Sequence, residues 1–374
     1  MRLTIERSNL IRSLARMTRV VERRNTIPIL SNVHLAADAE GLRMKATDLD
    51  LEVTERVRAN TANEGATTVP AHLLHDIVRK LPDGSEVALR TGEDGGVTVS
   101  AGRSNFRLQT LPDADFPDLT AGEFTHSFVM PAAELAGMIE RTAFAISTEE
   151  TRYYLNGIYM HVTEGMLRAV ATDGHRLARA EVEAPEGTEG MPGIIVPRKT
   201  VGEVQKLLGG AEKGEEGEQA TVRVELSDAK IRFTLGDTVL TSKLIDGTFP
   251  DYQRVIPTAN DKALTIDRQS FASAVDRVAT VSSERGRAVK LAIKDGQLTL
   301  TVNNPDSGSA EEELPVGYED DPIEIGFNAR YLLDIAAQIG GEEAVFMLND
   351  SGSPTLIRDK GDETALYVLM PMRV

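Results

Sequence analysis

The chain has 374 residues, 41% of them hydrophobic, with 58 acidic against 41 basic residues and a formal net charge of −17. Apolar residues suffice for several compact cores, while the absence of cysteine excludes disulfides and thiolate metal sites. No apolar run approaches the roughly 18 residues of a membrane span, and the N-terminal MRLTIERSNLIRSL has no continuous apolar core of a signal peptide, so a soluble, cytoplasmic protein is expected.

Taken in chain order, the predicted elements come three times over. A helical period runs through Leu10, Leu14, Met17 and Val21 after Ser8. Two strands follow in SNVHLAADAEGLRMKATDLDLEV, with a hairpin at 38–41. A second helix lies in TTVPAHLLHDIVRKL, and strands from SEVALR through FRLQTLPDADFPDL close the copy. The second copy repeats this with a helix at Leu135, Ile139, Ala143 and Ile146, strands in LNGIYMHVTEGMLRAVATDGHRLARAEV, a helix in IIVPRKTVGEVQKLL and strands from TVRVEL through LTSKLIDGTFPDY. The third does so with Phe271, Val275, Val278 and Val281, then AVKLAIKDGQLTLTVNNPD turning at Asp295-Gly296, IEIGFNARYLLDIAAQI, and EAVFML through LYVLMPMRV.

A period of about 120 to 135 residues is domain-sized. It predicts three domains at 1–122, 123–252 and 253–374, joined by ordered links in which Phe-Pro-Asp recurs at Phe116, Pro117, Asp118 and at Phe249, Pro250, Asp251. Runs of strands carrying two helices per copy read as α+β, with antiparallel sheets and helices on one face. Three like copies present like ends to one another, which argues for a curved or closed array. The acidic insert at 211–219 reads as a solvated hairpin loop.

Charge is unevenly distributed. The first helix and the residues after it carry Arg12, Arg16, Arg19, Arg23 and Arg24 against Glu22, and other helices bring Arg79, Lys80, Arg198, Lys199, Lys206 and Arg277, with Arg285 and Arg287 beyond. The acids gather at 212–218, 311–313 and 318–321. Any one of these helices reads equally well as a solvated face; their recurrence points to a positive lining within a negative exterior.

Catalytic signals are weak. Asp173-Gly174-His175 has the makings of a base and its orienting acid, but Ala171-Thr172-Asp173 reappears as Ala46-Thr47-Asp48 with no histidine after it, as turn aspartates would. Asp48 and Asp50 lack further ligands at metal spacing, and Gly96 to Gly102 has neither the length nor the lysine of a phosphate loop. No catalytic residue, metal or cofactor is expected. The terminal LYVLMPMRV offers adaptable methionines past what reads as a last core strand at Val368.

Long blocks carry a resemblance: RRNTIPILSN at 23–32, GATTVPA at 65–71, GRSNFRLQTLPDADFPDL at 102–119, RYYLNG at 152–157, ATDGHRLA at 171–178, IVPRK at 195–199, TSKLIDGTFPDY at 241–252, IGFNARYLLDI at 325–335 and the terminal MPMR. From end to end the chain resembles the bacterial DNA polymerase III beta subunits, the replicative sliding clamps. The resemblance implies half of a head-to-tail homodimeric ring that encircles duplex DNA without sequence preference, confers processivity and has no active site. It implies a cytosolic, nucleoid-associated protein whose partners are the polymerase alpha subunit, the clamp loader, and repair and translesion proteins that dock short peptides.

The pocket it implies comprises Leu155, Thr172, Gly174, His175, Arg176, Leu177, Pro250, Arg254, Val255, Val368 and Met370, with Arg152, Tyr154, Asn328, Tyr331, Pro371, Met372 and Arg373 beside them. Thr148 and Gly286 stand where some relatives have histidine and phenylalanine. Arg12, Arg16, Arg24, Arg198, Lys199 and Arg277 are expected to face DNA. Arg103, Phe106, Arg107 and Leu108 are expected to meet Thr280, Val281, Glu311, Glu312 and Glu313 across the dimer joint. A hydrolase built on His175 and a protein scaffold that never encircles DNA are the competing readings; a substrate screen and a DNA-loading assay separate them.

Overall fold

The computed structural model describes residues 1–119, 122–210, 219–282 and 287–373. The first copy runs β1 (Arg2–Glu6), α1 (Arg7–Val20), β2 (Asn32–Asp38), β3 (Gly41–Thr47), β4 (Leu51–Val57), β5 (Asn60–Asn63), β6 (Gly65–Pro70), α2 (Ala71–Lys80), β7 (Glu86–Thr91), β8 (Val97–Ala101) and β9 (Ser104–Leu108). The second runs β10 (His126–Pro131), α3 (Ala132–Ala143), β11 (Gly157–Thr163), β12 (Met166–Thr172), β13 (Arg176–Glu183), β14 (Ile194–Pro197), α4 (Arg198–Gly209), β15 (Thr221–Leu226), β16 (Lys230–Leu235) and β17 (Thr238–Lys243). The third runs β18 (Lys262–Asp267), α5 (Arg268–Ala279), β19 (Ala288–Lys294), β20 (Gln297–Asn304), β21 (Gly308–Pro315), β22 (Ile323–Asn328), α6 (Ala329–Ala336), β23 (Glu343–Leu348), β24 (Thr355–Asp359) and β25 (Ala365–Leu369). One order of elements thus recurs, with β5 added in the first copy.

Compactness divides the chain inside the second copy, into Met1–Ala133 with Glu186–Thr188 and Gly202–Leu244, and Glu134–Pro185 with Glu189–Val201 and Ile245–Val374. The cause is strand pairing across copies. In the first unit, β17 pairs antiparallel with β4, giving a sheet of order β10-β15-β16-β17-β4-β3-β2-β6 beside a second of order β5-β1-β7-β8-β9. In the second unit, β25 pairs antiparallel with β13, giving β14-β11-β12-β13-β25-β24-β23-β18 beside β21-β20-β19-β22.

Each first helix buries one stripe. On α1, Leu10, Leu14 and Met17 are fully buried, and Arg12, Arg16 and Arg19 project from the opposite side. The helices stop earlier than their apolar period: Val21, Ile146 and Val281 lie past the ends at Val20, Ala143 and Ala279, although Val21 and Ile146 remain buried. Ser8 is inside α1 rather than before it; Glu6 holds the N-cap position and accepts a 2.7 Å hydrogen bond from the Ser8 hydroxyl.

The expected turns form. Asp38 and Gly41 close the β2–β3 hairpin, with Gly41 at φ 128° and its would-be Cβ only 2.5 Å from the Val57 carbonyl oxygen. Lys294 and Gln297 pair around Asp295-Gly296. Asp48 Oδ1 accepts from the amides of Asp50 and Leu51, and Asp173 Oδ1 from those of His175 and Arg176, so both aspartates bond their own turns. Phe249 is buried and stacks on Tyr159 at 4.8 Å, while half-buried Phe116 lies 5.4 Å from the His34 ring. Residues 211–218 of the acidic insert, Arg285 and Gly286 lie outside the described residues.

Candidate functional site

A cavity of about 260 Å³ opens in the second unit. A 3-10 turn (Glu150–Leu155) supplies Arg152, Tyr154 and Leu155, and the β12–β13 turn supplies Thr172, Gly174, Arg176 and Leu177. Pro250, Asp251, Tyr252 and Val255 come from the link after the second copy, and Val368 and Met370 from β25 and its end. Leu155, Leu177 and Val368 form an apolar floor continuous with buried Val170, Ile195, Phe249 and Tyr252. Val255 and Met370, 50% and 41% exposed, form an apolar rim. Exposed apolar side chains beside a concave floor suit the anchors of a short peptide.

Polar contacts fix the shape. The Arg176 guanidinium donates to Asp173 Oδ2 (3.1 Å), Asp334 Oδ2 (2.5 Å) and the Phe144 carbonyl (2.8 Å), and lies 4.2 Å from the Tyr331 ring centre. It is therefore a pin for the wall and not a mobile rim charge. Arg152 donates to Glu149 and to the Asp173 carbonyl. Gly174 has φ 89°, so the turn needs glycine, and a Cβ there would stand 2.5 Å from Arg152 Nη1 and push that side chain aside. Behind the cavity, His161 Nε2 and the Tyr252 hydroxyl are 2.9 Å apart. Burial, and then the charges of Arg168 and Arg179, push the His161 pKa down.

The other expected pocket residues stand aside. His175 is outside the cavity lining and stacks on Tyr331 at 6.4 Å. Tyr331 lies under Arg176, and Asn328 caps α6 by accepting from the Arg330 amide. Arg254 pairs with Asp251 at 2.8 Å, its side chain 84% exposed. Pro371, Met372 and Arg373 line a separate groove of about 820 Å³ with Lys290, Asn303, Glu324 and Ser351, because the Met372 amide bonds the Gly326 carbonyl and carries the terminus along β22. Thr148 is exposed. Sequence reasoning did not place Asp251 and Tyr252 in the pocket, although Asp251 closes the recurring Phe-Pro-Asp and Tyr252 follows it.

The Asp173 carboxylate is engaged by two turn amides and by Arg176, so it holds the turn and does not orient the His175 ring. Among the described residues, no group of three or more His, Asp or Glu side chains is placed to hold a metal.

Of the cations expected to face DNA, Arg12 is exposed on α1, and Arg198 and Lys199 are exposed in the first turn of α4. Arg16 bonds Glu55 at 2.7 Å, and Arg277 bonds Glu312 through two contacts of 2.5 and 3.0 Å. Arg24 is exposed but lies beyond the end of α1 at Val20, in the irregular stretch before Pro28.

Both strands expected at the dimer joint are sheet edges: β9 ends one sheet and β21 another. Phe106 is 37% exposed, whereas Leu108 is 4% exposed and already belongs to the core of its own sheet. Arg103 is exposed in the β8–β9 turn, and Arg107 pairs with Asp94. Thr280 caps the end of α5, and the Val281 carbonyl accepts from Asn304. Glu312 turns toward α5, while Glu311 and Glu313 are exposed on the opposite face of β21.

Family models of the DNA polymerase III beta subunit match this chain three times: the N-terminal domain at residues 1–120, the central domain at 129–251 and the C-terminal domain at 253–373. The chain belongs to the DNA polymerase III beta subunit family. It is a sliding clamp, a polymerase subunit and not a catalyst. It is 53% identical to the beta sliding clamp of Caulobacter vibrioides and 40% identical to that of Escherichia coli, over the whole of each chain. A crystal structure of a sliding clamp from Bartonella birtlesii bound to griselimycin is 57% identical and superposes with a TM-score of 0.95, with both chains fully covered.

Proposed function

We propose that two copies of this chain close head to tail into a ring around duplex DNA, and that the ring tethers partners through peptides held in the Leu177 pocket. The observation that carries this reading is an unfilled joint. Within the chain, the last strand of a copy pairs with the third strand after the first helix of the preceding copy: β17 with β4, and β25 with β13. The corresponding strands left over are β9 and β21, both unpaired on one side. A second molecule fills both vacancies by the pairing already used twice, and two joints close a dimer without an open end.

Side-chain parity supports the same joint. Phe106 and Leu108 share one face of β9 and Arg107 the other. Exposed Phe106 therefore meets the partner near Val281, and Arg107 meets the face carrying Glu311 and Glu313. The family-model spans support domains at 1–122, 123–252 and 253–374. The replicative polymerase alpha subunit, the clamp loader, and repair and translesion proteins are the proposed peptide partners, and the bacterial cytosol, at the nucleoid, is the proposed location. A closed ring needs no tight grip, so sequence-independent contacts from Arg12, Arg16, Arg24, Arg198, Lys199 and Arg277 suffice and leave it free to slide.

The test is topological. Loaded onto a nicked circular duplex by a clamp loader, the protein should co-elute with DNA and be released when the circle is cut. Failure to be captured leaves the scaffold reading, and retention after linearisation means ordinary tight binding in place of encirclement.

A further inference from the structure

The same arginine recurs in all three copies. Arg16, Arg141 and Arg277 each stand six residues after the first apolar position of their helix, Leu10, Leu135 and Phe271. Each meets an acid: Arg16 with Glu55 at 2.7 Å, Arg141 with Asp362 at 3.1 Å, and Arg277 with Glu312 at 2.5 Å. On α1, Arg19 is tied in the same way to Glu203 at 2.8 Å, and Lys206 shares that carboxylate. Glu55 and Glu203 have side chains only 11% and 10% exposed, while those of Arg16 and Arg19 are 24% and 34% exposed. The acids thus sit beneath the arginines, shielded from water, and the arginines face outward. Arg12, on the same helix face, has no ion-pair partner among the described residues.

We infer that Glu55 and Glu203, with Glu312 in the third copy, set the strength of the grip on DNA by holding Arg16, Arg19 and Arg277 in ion pairs. This rests on the proposal that these helices face the duplex. A compact pair of opposite charges presents a phosphate with a field that falls off faster than that of a lone cation. At Glu55 a phosphate that takes the guanidinium fully must leave a poorly solvated carboxylate without its partner, and at Glu203 it leaves the carboxylate to Lys206 alone. The lining therefore carries more arginines than it offers as full charges, and fewer counterions are released on binding than the number of basic residues implies. Sliding then breaks few strong contacts at each step.

Glu55→Gln and Glu203→Gln keep size and hydrogen bonding but remove the charge. Binding of the full-length protein to a labelled short duplex, followed by anisotropy across a salt series, reads the number of phosphate contacts. Each substitution should steepen the slope of log K against log salt by about 0.9, so that binding falls about 3.5-fold further between 50 and 200 mM salt. A role confined to anchoring α1 would lower thermal stability and leave that slope alone. Arg12→Gln tests the underlying reading, since it should flatten the slope by a similar amount. If Arg12→Gln flattens it and neither glutamate variant steepens it, the inference is overturned and the DNA-facing helices stand. If Arg12→Gln also has no effect, both fail. Should Glu55→Gln not fold, Glu203→Gln decides alone.

Discussion

Met370 and Leu177 face one cavity from opposite situations. Met370 is 41% exposed at the pocket rim, so Met370→Ala should change stability by less than about 0.5 kcal/mol. As an apolar rim it should nonetheless matter to a docked peptide, and its loss should weaken binding about tenfold, roughly 1.4 kcal/mol. Leu177 is 3% exposed within the core cluster, so Leu177→Ala should cost about 2–5 kcal/mol of folding free energy and confound any binding measurement. Calorimetric titration with a clamp-binding peptide, paired with thermal melts, separates the two; full affinity in Met370→Ala would put the peptide elsewhere. The pocket was legible in the sequence only in part. Leu155, Leu177 and Val368 sit inside long recognisable blocks. The His161–Tyr252 contact was not readable, because it joins residues 91 positions apart and His161 looked like one of several scattered histidines.

Strand edges are where the fold leaves backbone groups without partners, and β9 and β21 are the pair of edges that the repeat pattern leaves unfilled. Phe106, 37% exposed, is the side chain on β9 that can be changed without opening the sheet core. Phe106→Asp should therefore give monomers in sedimentation velocity with a thermal melt close to that of the unchanged protein. Leu108→Asp, at 4% exposure, should instead unfold its own sheet and say nothing about assembly. A stable dimer in well-folded Phe106→Asp would exclude the β9 joint. At this scale the sequence was informative about strands and helices, because alternation in VTVSAGRSNFRLQTL and the 3.6 period in α1 are strong local signals. It overran the helix ends by a residue or more, since Val21 and Ile146 continue the apolar pattern after the backbone has left the helix. It was silent on the pairing of β17 with β4, which depends on the meeting of distant edges.

Acid should loosen the molecule through histidines present in both units. His34 on β2 and His161 on β11 have pKa values below the ordinary 6.5, first because burial disfavours the charged ring. Nearby cations add to this, Lys45 and Arg43 for His34 and Arg168 and Arg179 for His161, while Asp113 opposes it at His34. The unfolded chain takes up a proton near pH 6.5 that the folded chain refuses, so the unfolded state binds more protons as pH drops below that value. Their contribution to stability is complete above about pH 6.5 and is lost as pH falls toward the depressed folded values. Thermal melts should fall between about pH 7 and pH 5.5, and the His34→Gln/His161→Gln double variant should fall less steeply over that window. An equal slope in the double variant would assign the acid sensitivity to other groups.

The joints at β17·β4 and β25·β13 are written in amides and carbonyls, which every residue but proline supplies in full. A joint of that kind tolerates drift in the side chains around it. After a gene is duplicated, its copies can diverge almost beyond recognition and still dock edge to edge, and one of them can acquire a binding pocket without endangering the array. An ancestral single-copy protein with these two edges would already have been able to assemble on itself. Fusion of such genes would need to add only the links, and the proposed ring then keeps two β9–β21 joints between separate chains.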